Sequence, residues 1–238
     1  MSTIKSTTWL ITAKTNLHAG NECSTGYGLI DKSVQRDALM GLPCINSSSL
    51  KGALNEYCCN ASSLEIPQIH KIFGSDKKNE KDKKLKSQKG DTFFFDANIL
   101  FMPVQDDDTL YSLVTCRKVI NRFKELNGLF SGKKDVIAEN EKNYCTVGSV
   151  KAEIIDDKKF IQLCGDDELP IIARNKVETE TESGNLWYEQ IIPPEAVFYT
   201  FLQSPTNDLE NAILENNEIV QIGANATIGY GYCKFIKL

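Results

Sequence analysis

Apolar and polar positions alternate along short stretches of this chain, and in one place they repeat with a helical period. Residues 4 to 15 mix Thr, Ile, Trp and Leu and read as an opening strand. A long polar segment follows from Asn16 to Asn46, punctuated by Gly20, Gly26, Gly28 and Gly41. A loop of that length inside a domain is uncommon and tends to carry function. Ser47-Ser48-Ser49 are N-cap residues, and Leu50, Ala53, Leu54, Tyr57 and Cys58 then recur at the spacing of a helix with one buried face. Phe93 to Phe101 predicts a strand that Pro103 closes, with Leu110 to Thr115 beside it. Arg117 to Leu126 predicts a helix with a basic exposed face. The stretch from Ser131 to Asp157 is weakly patterned. Ile171 to Val177 and Leu186 to Ile192 predict a hairpin turning at Glu182-Ser183-Gly184-Asn185, where Gly and Asn tolerate positive φ. Pro193-Pro194 precede a strand from Ala196 to Leu202, residues 206 to 216 predict a short helix, and a last strand pair surrounds the glycines between 223 and 231. The order predicts an α+β domain, antiparallel in its pairing, with helices on one face; a ferredoxin-like core with large insertions fits it.

The chain has 238 residues, long enough to bury a core without disulfides. No run of about 18 apolar residues occurs and the first twenty residues lack an export pattern, so a cytoplasmic protein is expected, with no membrane partner. Eight cysteines, at 23, 44, 58, 59, 116, 145, 164 and 233, then read as reduced thiols. The net charge of -5 argues at first against nucleic acid, but the charge is polarised. Residues 71 to 89 carry eight lysines against three acids, whereas 156 to 182 is acidic. The lysine-rich stretch from 74 to 91 has almost no apolar content and is expected to be a mobile insertion.

Three constellations carry candidate chemistry. At Ser47-Ser48-Ser49-Leu50-Lys51-Gly52, free N–H groups, hydroxyls and an ammonium converge on a helix start, a geometry that suits an anion; an ordinary N-cap with a solvated lysine is the alternative. Gly223 to Gly231 allows close backbone approach to a ligand, with Tyr230 available for stacking, or else forms a tight hairpin. The long loop carries His18, Glu22, Asp31, Arg36 and Asp37: a possible base, a metal-ligand carboxylate and a phosphate clamp, in a segment where such groups also occur by chance. With only two histidines, His18 and His70, a dense histidine metal site is excluded. Cys58-Cys59 lacks zinc-site spacing, and Cys58 falls on the apolar stripe of its helix.

Taken together, Leu17-His18-Ala19-Gly20, Gly28-Leu29-Ile30-Asp31, Val34-Gln35-Arg36, Gly41-Leu42-Pro43 and Ser48-Ser49-Leu50-Lys51-Gly52-Ala53-Leu54 resemble the N-terminal signature of the CRISPR-associated RAMP superfamily, in particular the backbone subunit of type III-B (Cmr) effector complexes. Arg174-Asn175-Lys176-Val177, Leu186-Trp187-Tyr188-Glu189 and Pro193-Pro194-Glu195-Ala196-Val197-Phe198-Tyr199 resemble its thumb hairpin and following strand, and the C-terminal glycine turn completes the pattern.

The resemblance implies one domain over residues 1–238: a modified RRM-like palm with insertions at about 60–91 and 131–192, the second containing a thumb hairpin at 171–192. It implies partners: a CRISPR guide RNA, complementary target RNA, copies of the chain stacked head to tail, and other Cmr subunits. It implies target cleavage at regular intervals, dependent on a divalent metal ion (Mg or Mn), with Asp31 as the catalytic or metal-binding carboxylate and His18 and Glu189 in the cleavage region. RNA contacts are expected from Ser48, Ser49, Lys51, Arg36, Arg174, Lys176, Gly223, Asn225, Gly229, Tyr230 and Gly231. Tyr230 stands where a basic residue is common, so stacking is expected to replace one guide contact. An unperturbed carboxylate is a poor base at neutral pH, which favours metal binding or positioning for Asp31 and proton transfer for His18. A non-catalytic guide-binding scaffold, and a stand-alone metal-dependent RNA-processing enzyme, are the competing readings.

Overall fold

Successive phenylalanines face opposite sides of the central sheet. Phe94 stacks on Phe73 at 5.3 Å between centroids, and Phe95 packs on Phe130 at 4.6 Å. These rings belong to helices on the two sides, which explains why residues 8–13 of the first strand are buried without alternation. The expectation of helices on one face is therefore corrected: the sheet is covered on both.

The computed structural model describes residues 4–20, 30–75, 87–133, 136–140, 143–176, 185–215 and 217–238. In chain order the elements are β1 (Lys5–Ala13), β2 (Cys44–Ile45), α1 (Ser47–Ala61), α2 (Ile66–Phe73), β3 (Gly74–Ser75), β4 (Gln88–Lys89), β5 (Phe93–Phe94), β6 (Ala97–Asp106), β7 (Leu110–Cys116) and α3 (Arg117–Ser131). Then come β8 (Ile137–Glu139), β9 (Tyr144–Val147), β10 (Val150–Ile155), α4 (Asp157–Leu163), β11 (Ile171–Lys176), β12 (Asn185–Gln190), β13 (Val197–Ser204), α5 (Asp208–Glu215), β14 (Ile219–Gln221) and β15 (Tyr232–Lys237). The main sheet runs β14-β15-β1-β13-β6-β7-β10-β9-β8, with β2 beside β6 and β5 beside β13. Only β7 and β10 pair in parallel among the described strands.

Within it, β15, β1, β13 and β6 form an antiparallel core, with α1 between β1 and β6 in sequence and α5 between β13 and β15. The helix α3 buries Val119, Ile120, Phe123 and Asn127 along one stripe. Its Phe123 packs on Tyr199 of β13, and Asn127 Oδ1 accepts a 2.6 Å hydrogen bond from Thr8 of β1. On the other side Tyr57 of α1 donates to the Ala212 carbonyl of α5.

Strand β6 passes through Pro103 to Asp106 instead of ending there. Pro103 lies past the reach of β13, so its missing N–H costs no ladder bond. The weakly patterned stretch after Ser131 folds as β8, β9 and β10, strands of three to six residues too short to display a period. The helix α2, absent from the sequence expectation, starts at a capping box between Glu65 and Gln68 with Pro67 in its first turn. The predicted hairpin is present as β11 and β12, with Ile171 opposite Gln190. Its turn at Glu182, Ser183 and Gly184, the core of the lysine-rich insertion (76–86) and loop residues 21–29 lie outside the described residues.

Candidate nucleic-acid interface and cleavage site

The polar segment after β1 is locked between the end of the β11–β12 hairpin and the C-terminal glycine turn. Leu17 exchanges two backbone hydrogen bonds with Ile192, at 2.9 and 2.8 Å. His18, next in the chain, is only 3% exposed. A Cβ on Gly20 would sit 2.7 Å from His18 Nε2, so this glycine makes room for the ring. On the far side Ala224 N donates to His18 O at 2.9 Å, and Gly223, at φ +82°, presses its backbone onto that carbonyl, where a side chain would collide. A Cβ on Gly231, at φ +78°, would fall closer still to Ile222 O. Both glycines are thus required by contact between backbones. Gly229, also at positive φ, meets nothing within 4 Å of a would-be Cβ.

Glu189 lies at the centre of this packing and is 1% exposed. Its Oε2 accepts from Arg174 Nε at 2.9 Å and from Asn225 Nδ2 at 2.8 Å, and its Oε1 lies 3.4 Å from His18 Nε2. His18 Nδ1 faces the Gln190 carbonyl at 2.7 Å, so Nδ1 carries a proton. The Arg174 guanidinium also stacks 4.5 Å above the ring of Tyr230, whose hydroxyl accepts from Asn16. A buried carboxylate with three partners is the arrangement that such a charge demands. Stacking does occur at Tyr230, but its partner is Arg174.

Asp31 is exposed. It is held on β12 as a short extra strand: Asp31 N and Lys32 N donate to Tyr188 O, Gln190 N donates to Lys32 O, and Asp31 Oδ2 accepts from Tyr188 N at 2.7 Å. Asp31 is therefore held at Tyr188, the neighbour of Glu189 in that strand, with the Asp31 carboxylate facing solvent and that of Glu189 facing inward. Lys32 covers the Trp187 ring at 5.1 Å.

At the start of α1, Ser48 and Lys51 are exposed and Ser49 accepts from Gln35 Nε2 at 2.9 Å. Lys51 Nζ lies 6.0 Å from the Phe94 ring. The cap of this helix comes from outside it, since Asp96 Oδ1 accepts from Ser47 N at 2.6 Å.

Arg36 is not available as a phosphate clamp. Its Nη1 donates to the Gly41 and Cys164 carbonyls, both at 2.8 Å, and its Nε and Nη2 meet Asp166 Oδ1 at 3.0 and 2.7 Å. The guanidinium ties the loop to the segment after α4, a contact that no local pattern announces. The basic face of α3 is likewise neutralised. Arg117 and Lys124 share Glu139, whose carboxyl is held below the usual range by hydrogen bonds from Lys124 and then Arg117; Lys118 pairs with Asp157 and Arg122 with Glu125. The side chain of Lys176 lies outside the described residues.

Among the described residues, no group of three or more His, Cys, Asp and Glu side chains converges as a protein-built metal cage would. Asp31 is a single exposed carboxylate, one oxygen of which accepts from the Tyr188 amide. Asn16 and Gln190, which join the site through hydrogen bonds, escape sequence reasoning. For Gln190 the only available signal is a Glu-Gln pair placed directly before the apolar Ile191-Ile192.

A model of the RAMP superfamily matches residues 10–234. The chain belongs to the RAMP superfamily. A protein of Pyrococcus furiosus named CRISPR system Cmr endoribonuclease Cmr4 is 29% identical, the match covering 92% of this chain and 91% of that one. Among solved structures, the apo state of a type III-B Cmr-beta complex, determined by cryo-electron microscopy, contains a chain with TM-score 0.75 at 20% identity, covering 98% of this chain and 97% of that one. The crystal structure of oligomeric Cmr4 from Pyrococcus furiosus gives TM-score 0.65 at 24% identity, covering 98% of each chain. These likenesses establish the mixed α/β fold with one large sheet.

Proposed function

We propose that this RAMP protein is a backbone subunit of a type III-B CRISPR effector complex, that it lines up along a guide RNA with copies of itself and other Cmr subunits, and that it cleaves complementary target RNA. The likeness over nine-tenths of the chain to a protein named an endoribonuclease supports the reading. In it, residues 1–238 form one domain whose RRM-like palm is the β1-α1-β6 and β13-α5-β15 halves, with strand order β15-β1-β13-β6. The insertions span about 60–91 and 131–192, and the β11–β12 pair is the thumb that interrupts the guide–target duplex.

The observation that carries the cleavage assignment is the placement of Asp31, a solvent-facing carboxylate fixed by backbone hydrogen bonds at the root of that hairpin. Where a nucleotide is displaced from the duplex, its ribose 2'-hydroxyl gives up its proton and the oxygen attacks the adjacent phosphorus, closing a 2',3'-cyclic phosphate, while the bond to the 5'-oxygen breaks and that oxygen takes a proton from water. The protein must hold these atoms in line and meet the developing charge. Asp31 is the group at that phosphate, as proton acceptor or as the ligand of a magnesium or manganese ion. Such an ion, when bound, supplies charge stabilisation at the phosphate oxygens.

Burial changes the part assigned to His18 and Glu189. Both are closed off from solvent by Asn225, Arg174 and the glycine turn, so they act as positioning residues that brace the hairpin root. Arg174 and Tyr230 belong to the same brace. Contacts with guide backbone fall to Ser48, Ser49 and Lys51 at the start of α1, to Lys176, and to the glycine turn, where Gly223 and Gly229 are exposed and Asn225 is half-buried. The test is reconstitution of the unmutated protein with guide RNA and its partner subunits. Regularly spaced target cuts support the proposal; tight target binding without cuts would leave a scaffold, and cuts by the isolated monomer would indicate a stand-alone nuclease.

A further inference from the structure

Resting on the reading of Asp31 as the group at the target phosphate, we infer that Gln190 is the positioning residue that sets where Asp31 stands. Gln190 is wholly buried, at 0% exposure, and every polar group it owns is engaged. Its side-chain Oε1 accepts from Val34 N at 3.1 Å. Its Nε2 donates to Asp166 O and Asp166 Oδ1, each at 3.2 Å. Its backbone N–H donates to Lys32 O at 2.9 Å, and its backbone carbonyl faces His18 Nδ1 at 2.7 Å.

These bonds converge on one segment. Residues 31–36 are pinned at Lys32 by the Gln190 main chain, at Val34 by the Gln190 amide, and at Arg36 by Asp166, which the same amide holds. Asp31 begins that segment. Its carboxylate has the Tyr188 amide as its only hydrogen-bond partner among the described residues, so its direction depends on the strand that Gln190 fixes. A buried amide that uses both its acceptor and its donors across two loops is costly to leave half satisfied, and nothing apolar replaces it.

The assembled complex supplies the test, using single-turnover cleavage at saturating target, target affinity, and hydrogen exchange at residues 31–36. For Gln190→Ala the cleavage rate is expected to fall about 10- to 100-fold, the scale of an ångström-sized misplacement of a reacting group, with target affinity unchanged. Exchange at 31–36 is expected to rise while that of β1 and β13 stays the same. Asp166→Ala, made at a side chain 61% exposed, is the second variant should Gln190→Ala fail to fold, and its expected loss is smaller, several-fold. A wild-type cleavage rate in whichever of the two variants folds, or a rate that falls only in step with target affinity, overturns the inference. Asp31→Ala in the same assay separates the two claims: cleavage that survives it defeats the reading of Asp31, whereas cleavage lost there but intact without the Gln190 amide defeats only the role of Gln190.

Discussion

His18 Nε2 lies 3.4 Å from Glu189 Oε1, with both side chains out of solvent. The pair joins the segment after β1 to strand β12, and Arg174 and Asn225 extend it to strand β11 and the glycine turn. Four parts of the chain thus meet on one carboxylate. Its charge holds the frame from which Asp31 projects.

Glu189→Gln is expected to destabilise the fold by about 3 kcal/mol, the lower end of the cost of breaking a buried ion pair. The amide leaves Arg174 and His18 facing a neutral group. Urea unfolding checks this: the midpoint should fall with an unchanged slope. An unmoved midpoint would show that the carboxylate is not needed to hold the frame.

Gly223→Ala is expected to cost more than about 1 kcal/mol, because positive φ and the His18 carbonyl both oppose a side chain there. Gly52→Ala is the contrast. Gly52 lies inside α1 with nothing within 4 Å of a would-be Cβ, and the substitution is expected to stabilise by roughly 0.5–1 kcal/mol through helix propensity. Thermal denaturation of the two variants should move in opposite directions.

Lys51→Ala and Arg36→Ala separate contact with RNA from contact within the protein. Lys51 is exposed at a helix start, and its loss should lower the slope of log affinity against log salt by about 0.7 for single-stranded RNA. Arg36 spends its guanidinium on Asp166, Gly41 and Cys164, so Arg36→Ala should leave the salt slope alone and cost about 2 kcal/mol of stability.

The thiols predict an alkaline transition. Burial pushes Cys44, Cys58, Cys164 and Cys233 from the usual 9.0 up to about 12, and Cys145 up to about 11. The folded state therefore keeps these protons longer than the unfolded chain does. The stabilisation is fully present below pH 9 and is lost as pH rises from about 9 to about 12. Circular dichroism should show unfolding in that window. Native labelling at pH 8 should find Cys59, which is exposed, and spare its neighbour Cys58.

Helix α1, the hairpin strands and the last strand pair were legible because each rests on local periodicity or turn chemistry. The short strands after Ser131 were not, since three to six residues paired through distant contacts leave no period. Asp31 is singled out by the resemblance alone, and its role belongs to the proposed function. The parts of His18, Glu189, Arg36 and Gln190 were not legible, because burial and partner choice are decided by tertiary contacts, such as Glu189 with His18 and Arg36 with Asp166, that leave no local pattern. A charged side chain in a polar loop looks the same in sequence whether it meets RNA or, like Arg36, another loop.

The most direct measurement is target cleavage by the reconstituted complex carrying Asp31→Ala, set beside its affinity for the same target. Unchanged binding with loss of the regularly spaced products is the predicted result. Cleavage at the rate of the unmutated complex would contradict the assignment of the cutting chemistry to Asp31.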